Sequence, residues 1–206
     1  FSTDDYRCCD NERFSNSVCQ IVMERLKQYI DFIQEVEKLK SVLRTAWTSS
    51  GRQESTAEHS WRLALLAVLF ISDFPELDSL KILKMCLIHD LGELYDGDIS
   101  ALLLPDEQEK HTKEKMAMER MLSLLPQEVG SDLLAIWNEY NENQTEEVHW
   151  VKALDKAETI LQHNQGNNPP DFDYKFNLEY GKSYFSANSS LVTLRNLLDL
   201  ETQKHC

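Results

Sequence analysis

The sequence predicts an all-α fold in a single domain. Three observations support that expectation. Apolar residues recur at helical spacing over long stretches. Only six Gly and five Pro punctuate 206 residues, and no convincing period-two alternation marks a strand. The length suits one domain with a substantial core. With a formal net charge of −14, neither a nucleic-acid polymer nor an anionic membrane is expected as partner. A small phosphate ligand stays compatible, because a bound cation and a few arginines can invert the potential locally.

Residues 1–16 are polar and aperiodic and read as a loose N-terminal arm, followed by one domain over 17–206. From Ser17 a long amphipathic helix is expected, with Val22, Leu26, Tyr29, Ile33, Val36 and Leu43 forming one core-facing stripe. Ser49-Ser50-Gly51 reads as a turn. Ser55-Thr56-Ala57-Glu58 fits a capping box, in which the Ser side chain bonds the N3 amide and Glu reaches back. That puts His59 in the first turn of a helix running to about Ser72. The next helix covers 80–94, with Asp78 as N-cap and Leu80, Leu83, Leu87 and Leu94 at helical spacing, and Asp96-Gly97-Asp98 ends it.

Pro105 opens a helix over 106–125 that Pro126 ends, and Gln127 to Tyr140 forms another. Thr145 caps a helix over 146–163 whose inward stripe holds Val151, Leu154 and Leu161, together with the ionisable Asp155 and Glu158. The run 166–173 is a loop, and a last helix spans 189–200.

Within the 80–94 helix His89 and Asp90 stand side by side in an apolar setting, with Glu93 one turn on. A buried carboxylate pairs or binds a metal. Imidazole and carboxylate both suit divalent cations. Taken alone, His59 would be a hydrogen-bonded helical histidine and Asp155 a salt-bridge acceptor for Lys152 or Lys156. Together they give the order H…HD…D on three helices.

The segments RQESTAEHS (52–60), HDLGELYDGDI (89–99) and VKALDKAETIL (151–161) resemble those of HD-domain metal-dependent phosphohydrolases, in particular the 5′-deoxynucleotidase-type branch. The resemblance spans residues from about 39 to about 163 and implies a single helical bundle with the metal site between helices. It implies that His59, His89, Asp90 and Asp155 ligate one divalent cation, with Mn, Co, Fe, Ni, Zn and Mg all compatible. Glu93 then corresponds to the catalytic carboxylate acting on water or the leaving sugar oxygen, and Asp98 to the aspartate beside the sugar hydroxyl. Arg44 and Arg52 correspond to phosphate-facing arginines, whose guanidinium forks fit phosphate oxygens. In that branch a tryptophan follows the first arginine directly. Here Thr45 does, and Trp47 is the nearest candidate to face the nucleoside. Arg62, Lys113, His111, His149 and His163 match no site position and read as surface or structural residues.

The expected activity is release of inorganic phosphate from nucleoside 5′-monophosphates, ribo or deoxy. The alternatives are an HD phosphohydrolase acting on nucleoside di- or triphosphates or another small ester, and a non-catalytic metal-containing adaptor or nucleotide sensor. The resemblance also implies a homodimer. Cys8, Cys9, Cys19, Cys86 and Cys206, odd in number and without paired spacing, suit the cytoplasm better than a disulfide framework. The longest apolar run, Leu63 to Ile71, is too short to span a bilayer, and no signal peptide is legible.

Overall fold

The computed structural model describes residues 16–98 and 106–206. The expected arm, apart from Asn16, falls outside them, as do Cys8, Cys9 and Pro105. Helix α1 (Asn16–Val36) leads through a 3-10 turn (Glu37–Ser41) into strand β1 (Leu43–Trp47) and strand β2 (Gln53–Ser55). Helices α2 (Thr56–Ile71), α3 (Ser79–Ile88), α4 (Glu107–Leu122), α5 (Gln127–Glu142), α6 (Glu146–Gln165), α7 (Tyr174–Glu179) and α8 (Ser189–Thr202) follow. The all-α expectation holds. The two strands are an addition to it, too short for any period to show.

The strands pair antiparallel, Leu43 opposite Ser55 and Trp47 opposite Gln53, with an irregularity between. Gly51 at φ 85° lets the connection reverse, a backbone region that favours glycine. Gln162 on α6 donates to the Trp47 carbonyl at 2.6 Å, and the Asn167 amide to that of Thr48 at 3.0 Å. The hairpin is thereby pinned to the C-terminal end of α6.

The capping box forms as read: the Ser55 hydroxyl accepts from the Glu58 amide, and Glu58 Oε2 from the Ser55 amide. Asp78 caps α3 by accepting from the Lys81 amide at 3.0 Å. Helix α3 does not continue to Leu94. It ends at Ile88, Asp90 leaves helical geometry at φ −97° and ψ 6°, and Leu91–Leu94 forms a separate 3-10 turn. Trp137 Nε1 donates to the freed His89 carbonyl at 3.1 Å, which satisfies a helix end that would otherwise be orphaned.

A single core runs from Leu39 to Leu198, with α6 at its centre; Val148, Val151, Ala153, Leu154, Ala157 and Ile160 on α6 are all buried. Buried Arg195 on α8 donates to the carbonyls of Asn177, Leu178 and Tyr180 and pairs with Asp199, fixing the chain after α7.

Two stripe assignments are corrected. On α1, Val22, Leu26 and Ile33 are exposed, and only Tyr29 and Val36 of the named stripe lean on the core; Leu43 lies in β1 and is exposed too. The amphipathic pattern is real, but the described residues do not cover the apolar face. On α3, Leu80 and Leu87 face outward while Ile82, Met85 and Cys86 are buried, so the buried face is rotated from the one read. Among the described cysteines, Cys86 and Cys206 are free and Cys19 is disulfide-bonded. No described helix is long and apolar enough to cross a membrane.

Candidate active site

The capping box starts α2 where His59 turns inward, the end of α3 presents His89 and Asp90, and mid-α6 supplies Asp155. His59 Nε2 stands 3.1 Å from Asp155 Oδ1 and 3.8 Å from Asp90 Oδ2, and His89 Nε2 is 3.1 Å from the same Asp90 oxygen. His59, His89 and Asp155 offer ligand atoms all within 4.8 Å of one another. Donors bound to one cation at about 2.1 Å lie roughly 3 Å apart, so these separations fit a shared ion. Both Nε2 atoms are buried without a hydrogen-bond partner, as expected of ligand nitrogens aimed at a metal. The break after Ile88 lets adjacent residues 89 and 90 converge on one point, which a continuous helix would spread by about 100°.

Electrostatics agree with this fit. Burial would raise Asp90, yet His89, His59 and Arg44 hold it below the ordinary carboxylate range. Burial acts the same way on Asp155, and Lys156 and His59 hold it well below that range. For His59 burial and Arg44 act downward, but Asp155 and Glu158 prevail and carry it to about 9. The carboxylates that favour a proton on His59 would also favour a cation beside it, in competition with that proton.

Glu93 is buried on the 91–94 turn. Thr56 Oγ1 donates to it at 3.4 Å, and Lys110 Nζ on α4 lies 3.8 Å away. Burial, with Asp90 and Asp98, pushes its carboxyl up to about 10 against Lys110 and Arg44. Asp98 is raised too, by burial and then Asp90, against Arg44. Two carboxyls thus share a region where one is poised to hold a proton.

Half-buried Arg44 on β1 lies 3.5 Å from Asp90 and 3.6 Å from Glu54, and donates to Thr159 Oγ1 at 3.0 Å. A cavity of about 880 Å³ opens here, its wall including Arg44, His89, Asp90, Glu93, Asp98 and Asp155. It also includes Lys110, Lys115, Lys152 and Lys156. Glu114, Glu142 and Asp173 line it as well, so seven carboxylates face five basic side chains and a phosphate group would need a bound cation beside Arg44 and the lysines.

The structure therefore brings Arg44, His59, His89, Asp90, Glu93, Asp98 and Asp155 together. It does not bring Arg52 in: that side chain is more than half exposed, grips Glu58 and the Gln53 carbonyl, and is not part of the wall. The turn after β1 carries it outward. Trp47 stands behind the wall, its ring edge-on to cavity-lining Phe172 at 6.1 Å. His163 and His111 do line the cavity, His163 buried against Asn177 and His111 stacked on Trp137. Arg62, read as surface, reaches Glu158 at 3.3 Å and Gln162. Lys110 carried no sequence signal, since solvated lysines are the rule on helices, whereas Lys156 was one of the two partners expected for Asp155 and lies 2.9 Å from it. Glu158 did, as an acid three residues after Asp155 on the inward stripe.

Fold and site together define a helical bundle in which imidazole and carboxylate side chains able to hold a divalent cation sit at a polar cavity. The HD-domain family model matches residues 36–193, and the chain belongs to the HD-domain family. It is 34% identical over 171 residues to 5′-deoxynucleotidase HDDC2 of Dictyostelium discoideum, covering 79% of this chain and 88% of that protein. It is 33% identical over 138 residues to 5′-deoxynucleotidase HDDC2 of Homo sapiens, covering 66% and 67%. Among solved structures it resembles a "predicted metal-dependent phosphohydrolase" from Magnetospirillum magnetotacticum MS-1, with TM-score 0.75 and 27% identity over 88% of this chain and 97% of that one.

Proposed function

We propose that this protein is a metal-dependent phosphohydrolase releasing inorganic phosphate from nucleoside 5′-monophosphates, deoxynucleotides included. The observation that carries the reading is the convergence of His59, His89, Asp90 and Asp155 beside buried Glu93, at a cavity whose wall sets Arg44 and four lysines among carboxylates. The names of the relatives support the substrate class.

The four ligands would hold one divalent cation, and mixed imidazole and carboxylate donors accept Mn, Co, Fe, Ni, Zn or Mg. When bound, such a cation supplies Lewis acidity towards the phosphoryl group. Arg44 turns part of its fork to the cavity and offers it to phosphate oxygens. Glu93, set between Thr56 and Lys110, takes a proton from the attacking water or gives one to the departing sugar oxygen. Asp98, on the wall of the same cavity, orients sugar hydroxyl and water. Arg52 would have to leave Glu58 to reach phosphate, and Trp47 acts on the nucleoside only through Phe172.

Four lysines on the wall favour a second reading, in which a di- or triphosphate is the better substrate. A phosphate-release screen of the metal-loaded protein over dNMPs, NMPs and dNTPs separates the two. Orthophosphate from monophosphates, abolished in Glu93→Gln, is expected. Pyrophosphate or triphosphate as product would replace the first reading by the second. Nucleotide binding without turnover would leave a sensor or adaptor.

The reading extends to a homodimer in the cytoplasm, where soluble nucleotides are. Ile21, Ile30 and Ile33 on α1, each more than half exposed, give a second copy an apolar face to cover. Sedimentation showing only a 24.0 kDa species at micromolar concentration would remove the dimer.

A further inference from the structure

Behind His59, away from His89, lies a second buried polar group: Glu54, His59 and Glu158 also present ligand-type atoms within 4.8 Å of one another. It invites reading as a second cation site. The ion pairs around it argue otherwise. Arg62 Nε lies 3.3 Å from Glu158 Oε1, and Arg44 Nε lies 3.6 Å from Glu54 Oε2. Two guanidiniums already face the two carboxylates, so a divalent cation there would meet repulsion on two sides. His59 Nδ1 is also taken, 2.5 Å from Glu158 Oε2.

We propose that Glu158 is a positioning residue: it accepts the Nδ1 proton of His59, fixes the tautomer that leaves Nε2 free for the metal, and is itself paired with Arg62. An ionised carboxylate can only accept, so the shared proton belongs to Nδ1 and the free lone pair to Nε2. Nε2 is the buried, unpartnered atom beside Asp155 and Asp90. His59 has no solvent exposure and Glu158 almost none, so water cannot replace either partner. Asp155 and Glu158, three apart on α6, share a face; one helix therefore supplies a ligand and the group that orients another ligand. Such outer partners set ring orientation and raise ligand basicity.

This inference rests on His59 being a metal ligand, and its test reads metal affinity and a ring proton rather than turnover. Divalent cation affinity of the full chain is measured by chelator competition in wild type, Glu158→Ala, Glu158→Gln and Glu54→Gln. Melting of the metal-stripped proteins reports folding. Glu158→Ala is expected to weaken affinity about 10–100-fold. Glu158→Gln, whose amide oxygen still accepts from Nδ1, loses less. Glu54→Gln removes an equal charge nearby and stays near wild type, with one ion per chain throughout. A downfield His59 ring N–H resonance is expected by NMR in metal-stripped wild type and should disappear in Glu158→Ala. If Glu158→Ala does not fold, Glu158→Met, of similar length but without an oxygen acceptor, decides: affinity and resonance both unchanged would overturn the proposal. So would two ions per chain in wild type falling to one in Glu54→Gln. Wild type that binds no divalent cation yet hydrolyses nucleotides would sink the proposal and leave the activity standing.

Discussion

Lys156 Nζ lies 2.9 Å from Oδ2 of Asp155, while Oδ1 of that carboxylate faces His59 Nε2 at 3.1 Å. One oxygen is thus held by a lysine and the other is left for the metal, which orients a ligand that could otherwise rotate. The lysine also lines the cavity, so its charge acts with opposite sign on cation and substrate.

Lys156→Gln keeps a donor near Asp155 but removes the charge. The metal should then be held at least as tightly against a chelator. KM for a nucleoside monophosphate should rise about tenfold, because a hydrogen bond to a charged group contributes about 1.5–3 kcal/mol. Weaker metal retention with unchanged KM would show Lys156 to be only a brace for Asp155.

What could be read beforehand was what local chemistry dictates. The capping box set the start of α2 and therefore the place of His59, and Asp78 set the start of α3. The termination of α3 could not be read, because it depends on Trp137 of α5 reaching the His89 carbonyl. The α1 stripe was legible as apolar, but periodicity does not say which molecule will cover it. Arg44 and Arg52 looked alike in sequence; a short strand turns one inward, and the turn after it sends the other to solvent. Lys110 became part of the site only when α4 packed against the 91–94 turn.

Arg52 is expected to matter for stability rather than turnover. The Arg52 hydrogen bond is the main influence holding the Glu58 carboxyl down at about 2, with burial opposing it and Ser55 assisting. The folded pKa lies below the ordinary 4.5, so this stabilisation is complete above pH 4.5 and disappears as pH falls towards 2. Both side chains are more than a third exposed, and solvent screening limits the pair to about 0.2–1 kcal/mol. Arg52→Ala should lower Tm slightly at pH 7, with the gap to wild type closing on acidification. Its kcat/KM should stay within about twofold of wild type. A large rise in KM would mean that Arg52 leaves Glu58 to hold phosphate.

Cys86 and Cys206 should differ sharply towards alkylating reagents. Burial, with the charge of Asp155, pushes the Cys86 thiol up to about 12. Thiolate is the reacting species, so at pH 8 this thiol is almost wholly inert. Cys206 is exposed. Iodoacetamide followed by mass spectrometry should label Cys206 in the native protein and Cys86 only after denaturant. Labelling of Cys86 in native conditions would show α3 opening in solution.

Gly92 offers a strict steric test. A Cβ there would lie 2.7 Å from Glu114 Cβ and 3.1 Å from its Cα, on the neighbouring helix α4. No rotamer change relieves a contact with Cα and Cβ, so α4 and the 91–94 turn must separate. That movement would shift Glu93 against Lys110, which pairs with both Glu93 and Glu114. Gly92→Ala is expected to destabilise by about 1–3 kcal/mol, the usual range for overpacking. The damage to turnover should exceed what partial unfolding explains, while His59, His89, Asp90 and Asp155 retain the metal. Denaturant melts, metal content and kcat on the same preparation separate these effects. A variant of wild-type stability with full kcat would show that α4 yields at no cost, and that the Glu93–Lys110 spacing is not held by this contact.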